Sequence, residues 1–81
     1  MSPMQEAVIM ALGRMPIPAE AWRVQAEAEL VTGGSLSGST VRTRLVELTR
    51  AGVVTLVDRK GRSMTGNRCS RYRLAWKGAD L

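Results

Sequence analysis

Ser37-Gly38-Ser39-Thr40-Val41-Arg42-Thr43-Arg44-Leu45-Val46-Glu47-Leu48-Thr49-Arg50-Ala51-Gly52 is the stretch around which the chain is organised. It reads as one helix with both ends marked. Ser37 or Ser39 caps the first turn, because a short hydroxyl accepts a hydrogen bond from an unpaired backbone N–H. Gly52 takes the left-handed conformation that closes a helix C-terminus. Between them Val41, Leu45 and Leu48 recur at steps of four and three, which places them on one face. Ser39, Thr43 and Arg50 lie opposite. Arg42 and Thr40 flank the apolar face, and Arg44 lies nearer its edge. Hydroxyls and guanidinium groups are suited to base edges and phosphates. The plainer alternative is an amphipathic helix with a solvated charged face.

Toward the N-terminus, Thr32-Gly33-Gly34-Ser35 punctuates the chain as a turn. It lacks the Lys-Ser or Lys-Thr pair and the preceding strand of a phosphate-binding loop, so a nucleotide site is rejected there. Leu36 tucks this turn into the core. Before it, a second helix runs from Pro18 or Ala19 to about Leu30 or Val31, rich in alanine and glutamate. Its apolar stripe is Trp22, Ala26, and Glu29 or Leu30, with Trp22 as core anchor. Met15-Pro16-Ile17-Pro18 breaks the helical pattern, and Ile17 is placed to add one extended residue to a sheet edge. A first helix opens at Ser2-Pro3, with Ser2 as cap, and runs to about Arg14. Met4 and Met10 serve there as flexible core filler beside Val8, Ala11 and Leu12.

Toward the C-terminus the period shifts from about 3.6 to 2. Val53 to Val57 is β-branched and predicts a strand. Asp58 to Gly66 is polar, holds two glycines and reads as a loop. Cys69 to Leu74 alternates again, with Tyr72, Leu74 and Ser70 on one side and Cys69, Arg71 and Arg73 on the other. The two strands form a hairpin with a basic tip and a basic outer face. Trp76 is expected to cover one end of the core.

Eighty-one residues correspond to one small domain, residues 1–81. No run of 18 apolar residues predicts a membrane span, and no secretory signal is visible. The lone Cys69 fits a reducing cytoplasm and a structural role. Charge is polarised along the chain. Residues 1–41 carry two basic groups against four acidic ones. Residues 42–81 carry ten against three, and together these give the formal net charge of +5. A basic half joined to a mildly acidic half has the footprint of a polyanion binder.

The order helix, extended break, helix, turn, helix, hairpin resembles a winged helix-turn-helix domain. The resemblance is carried by Leu36 to Val54, which looks like that family's recognition helix closed by a Leu-x-x-x-Gly step and an apolar strand. Arg71-Tyr72-Arg73-Leu74, followed by Lys77-Gly78, is similar to the end of the family's second wing strand. The Thr32–Leu36 turn is longer and richer in glycine than the family's tight form. The resemblance implies an α+β fold with three helices followed by a β-hairpin wing. It implies double-stranded DNA as partner, with the third helix in the major groove and the wing on the backbone or minor groove. Ser39, Thr40, Arg42 and Thr43 are then expected at or near base edges. Arg44, Arg50 and the wing residues Arg59, Lys60, Arg62, Arg68, Arg71 and Arg73 are expected at phosphates.

Catalysis is not expected. The chain has no His and one Cys, so the commonest general base and a metal-binding set are absent. No cofactor, metal or small-molecule ligand is expected. The expectation is a small cytoplasmic transcriptional regulator similar to phage or bacterial repressors, acting by occupancy. A homodimer or a protein partner stays open, and the same fold serves as a protein–protein adaptor in other settings.

Overall fold

A computed structural model describes residues 2–75 of the chain. Trp76, Lys77 and Gly78, to which the sequence assigns a core cover and the end of the wing, lie outside the described residues.

Helix α1 spans Pro3–Gly13. The Ser2 hydroxyl accepts from the Gln5 backbone N–H, and the Gln5 side-chain oxygen accepts from the Ser2 N–H, both at 3.1 Å. Two donors of the first turn are satisfied reciprocally, and Pro3 sits where its missing N–H costs nothing. Ala7, Val8, Ala11 and Leu12 are buried. Met10 is not core filler: it lies off that stripe and is 57% exposed.

Strand β1 is Ala19–Glu20, and helix α2 follows at once as Ala21–Thr32. The extended break thus joins the sheet two residues later than Ile17, which is exposed. The pairing ends at Ala19 because Pro18 has no N–H to donate to a neighbouring strand. Helix α2 begins at Ala21 and not at Pro18 or Ala19, because Ala19 and Glu20 are extended and paired with β3. Its buried residues are Val24 and Ala28. Trp22 is half-buried and Leu30 is exposed, so the stripe of α2 is Val24 and Ala28 rather than Trp22, Ala26 and Leu30.

Gly33 closes α2 with φ of +77°. The following turn is held at one residue from two sides. Glu29 Oε2 accepts from the Leu36 N–H at 2.8 Å, and Gln25 Nε2 donates to the Leu36 carbonyl at 2.7 Å. Gln25 and Glu29 are one helical turn apart on α2, so they form a bracket. The long turn is therefore fixed by side chains instead of by its own tightness. Helix α3 spans Gly38–Arg50, and Ser37 is its cap, accepting from the Thr40 N–H at 3.1 Å. Val41, Leu45 and Leu48 are buried, and Gly52 has φ of +80°.

Strands β2 (Val54–Arg62) and β3 (Arg68–Leu74) form the hairpin. The antiparallel sheet has the order β1-β3-β2, so β3 is central. Strand β2 extends well into the stretch expected to be a loop. Two register shifts, between Leu56 and Asp58 and between Asp58 and Gly61, place extra residues in β2. These bulges let a glycine-bearing polar segment stay paired while the strand bends. The turn proper is Ser63 to Asn67, closed by Ser63 N–H to Asn67 O at 2.7 Å.

The core gathers Val8, Leu12, Val24, Ala28, Val41, Leu45, Leu48, Val54 and Leu74 from all three helices and the hairpin. This is an α+β fold in winged-helix layout: three helices, with one short strand between the first two, and a β-hairpin that completes the sheet.

Candidate nucleic-acid interface

The exposed stripe of α3 is Ser39, Arg42, Thr43, Val46 and Arg50. These positions follow the helical period and lie away from Val41, Leu45 and Leu48. Thr40 is half-buried, and its Oγ1 accepts from the Ser37 hydroxyl at 2.7 Å. Arg44 is turned inward. Its Nε lies 2.7 Å from Glu47 Oε1, an ion-pair contact, and its Nη2 donates to Glu47 Oε2 at 3.0 Å. Glu47 also accepts from Gln5 Nε2 at 3.0 Å, which ties α3 to α1. Arg44 is therefore part of the scaffold and not of the open stripe.

The wing divides in the same way. Arg71 donates through Nε to Asp58 Oδ1 at 2.9 Å and through Nη2 to Asp58 Oδ2 at 2.6 Å, a bidentate pair across β2 and β3. That pairing removes Arg71 from the outer cationic face. Asp58 also accepts from the Lys60 N–H at 2.9 Å. The Arg71 hydrogen bonds and this backbone bond outweigh partial burial and hold the Asp58 carboxyl down at about 2. The same contact raises Arg71 above its ordinary value, against partial desolvation. By contrast, Arg42, Arg50, Arg59, Arg62, Arg68 and Arg73 have no carboxylate partner among the described residues.

The turn end of the wing is locked to β1 and α2. Glu20 is 7% exposed. Its Oε2 accepts from the Arg62 N–H at 3.0 Å, and its Oε1 lies 3.2 Å from Arg23 Nε. Burial alone would raise the Glu20 carboxyl. The backbone N–H groups of Arg62 and of Glu20 itself, with the charges of Arg23 and Arg71, outweigh it and lower the pKa. Trp22 donates its indole N–H to the Arg62 carbonyl at 2.7 Å, while the Arg23 guanidinium lies 5.1 Å from its ring centroid. Trp22 is thus a strut between α2 and the wing, not a core anchor.

These contacts shape a groove where the start of α3, the start of α2 and the wing meet. Arg42, Arg59 and Arg68, with Ala21, Cys69, Ser70 and Tyr72, line a concavity of about 360 Å³. It continues into a second one lined by Trp22, Gln25, Ser63, Met64 and Thr65, sharing Ala21, Arg42 and Cys69. No carboxylate lines either part. Cys69 borders this groove together with Ser70 and Tyr72. Arg73 lies elsewhere, beside Pro16, Ile17, Pro18 and Val57. Two apolar residues on this surface are not apparent from charge: Val46 on the open stripe of α3, and Met64 at the wing tip, 82% exposed. Val46 is legible from its spacing with Ser39, Thr43 and Arg50. Met64 has only its place in an otherwise polar turn.

Among the described residues no three Cys, Asp or Glu side chains gather to hold a metal ion, and no helix is long and apolar enough to cross a membrane. No protein-family model matches the chain, and no curated protein matches its sequence.

Proposed function

We propose that this chain is a winged helix-turn-helix protein that binds double-stranded DNA with sequence preference and acts in the cytoplasm as a small transcriptional regulator, by occupancy. The observation that carries this reading is the division of its arginines. Four arginines of the scaffold are paired with carboxylates, whereas the unpaired Arg42 of α3 and Arg59 and Arg68 of the wing border a common groove that no carboxylate lines. Unpaired guanidinium groups on adjoining elements match the charge of a duplex backbone. Ser39 and Thr43 offer hydroxyls to base edges, and Val46 offers a methyl surface for thymine. Met64, at the tip of the hairpin, is suited to an apolar contact in the minor groove.

The test is selection of preferred duplexes from a random pool, followed by binding measurements on variants. Thr43→Ala is expected to lower affinity for the selected sequence by about 1–3 kcal/mol more than for random DNA. Arg59→Ala is expected to weaken both equally and to flatten the log–log salt dependence by about one unit. If both variants lower selected and random binding in the same ratio, α3 does not read sequence. A chain that selects no duplex at all would instead be a protein-binding module.

A further inference from the structure

We propose that the concavity bordered by Arg42, Arg59 and Arg68 is a phosphoryl-group pocket that also accepts a free polyphosphate anion, so that such an anion competes with duplex for the chain. The competition rests on the DNA-binding reading above; the pocket itself does not.

Three arginines from three different segments line this one concavity: Arg42 in the first turns of α3, Arg59 in the bend of β2 and Arg68 at the start of β3. Four other arginines of this chain are neutralised. Arg14 faces Glu27 at 2.7 Å, and Arg23, Arg44 and Arg71 face Glu20, Glu47 and Asp58. Glu20, Glu27, Glu47 and Asp58 are thus engaged by other arginines. Gathering like charges on a concave surface is unfavourable in the absence of an anion and becomes favourable once one enters. The guanidinium fork matches phosphoryl oxygens in geometry as well as charge.

The remaining lining fits the same ligand. Ser70 and Tyr72, which share this lining, each carry a hydroxyl. Ala21 is the first residue of the twelve-residue helix α2, whose N-cap, Glu20, makes no side-chain cap hydrogen bond. The Glu20 carboxylate at this end is engaged by the Arg62 N–H and by Arg23, so the helix terminus itself adds no positive charge to the lining. The walls are held in place before any ligand arrives. Glu20 and Trp22 fix the backbone of Arg62, and the Asp58–Arg71 pair fixes the strands that carry Arg59 and Arg68. Pre-organisation of this kind reduces the ordering that binding must impose.

The test is calorimetric titration of the full chain with tripolyphosphate at constant ionic strength. One anion is expected to bind per chain. Arg68→Ala is expected to weaken it about tenfold, the scale of a lost charge-assisted contact. Arg73→Ala removes the same charge from a surface facing Ile17 and Val57, and is expected to leave binding nearly unchanged. Thermal melts establish that both variants fold. Equal weakening by the two variants would reduce the effect to net charge and overturn the pocket, as would the absence of saturable binding. A second arm follows displacement of a fluorescent duplex by tripolyphosphate. Displacement in step with the calorimetric affinity supports competition, and duplex that stays bound at saturating anion overturns it. Anion binding without any duplex binding would leave the pocket standing and overturn the DNA-binding reading instead.

Discussion

Gly61 sits where the side chain of Glu20 crosses onto β2. A Cβ at this position would lie 2.6 Å from Glu20 Cγ, 2.8 Å from Arg71 Cγ and 3.1 Å from the Cys69 carbonyl oxygen. Gly61→Ala should therefore cost about 1–3 kcal/mol through overpacking. Chemical denaturation measures this, and a loss under about 0.5 kcal/mol would mean that Glu20 swings aside freely. Asp58, beside it, makes a prediction about pH. Its folded pKa of about 2 lies below the ordinary 3.8. A depressed carboxylate stabilises the fold above its unfolded pKa and loses that contribution as pH falls through the folded one. Stability should thus decline between about pH 4 and pH 2. Glu20, also lowered, should act in the same direction. Asp58→Asn should give a shallower decline, leaving the part due to Glu20. An unchanged slope in acid would show that the Arg71 pair persists into the unfolded chain.

The helices and the sheet were not equally legible. Helix ends are marked by neighbours in sequence, so Ser2-Pro3, Ser37 and Gly52 could be read directly. Only the choice between Ser37 and Ser39 stayed open, and Ser37 is the cap. Ser37→Ala should cost about 1 kcal/mol, while Ser39→Ala should change thermal stability by a few tenths at most. Equal losses would mean that α3 starts later in solution. The sheet depends on partners far along the chain, and there the sequence is a weaker guide. Two residues of β1 pair only because Tyr72 and Arg71 lie opposite. The bulges of β2 keep a polar segment in register that otherwise has the composition of a loop. Trp22 lies off the core stripe of α2 because helical phase outweighs side-chain size. Val24 and Ala28 are small, yet they face the core. The arginines could be counted from sequence, but which of them are paired could not, apart from Glu20 with Arg23 and Glu47 with Arg44. Arg44 and Glu47 are three apart on a helix, a spacing that already allows a pair.

At the level of the whole chain, Leu45 joins helices and hairpin in a core with few large side chains. It is fully buried, as are Val8, Val24 and Val41. Leu45→Ala should cost about 2–5 kcal/mol, a large share of what a domain this small has. Loss of the folded baseline at moderate temperature is the expected result. A melting temperature within about 2 °C of the parent would mean that the core closes around the gap. The order β1-β3-β2 has a different kind of consequence. It leaves nine-residue β2 as an outer strand, with Leu56 and Val57 partly exposed. A long, flat outer strand is a template on which a second chain can polymerise. The two bulges interrupt its row of free backbone groups, and Arg59 and Lys60 add repulsion. Deleting Val57 would straighten the first irregularity. Light scattering of that variant at high concentration should then reveal fibrous or amorphous aggregates where the parent chain stays clear.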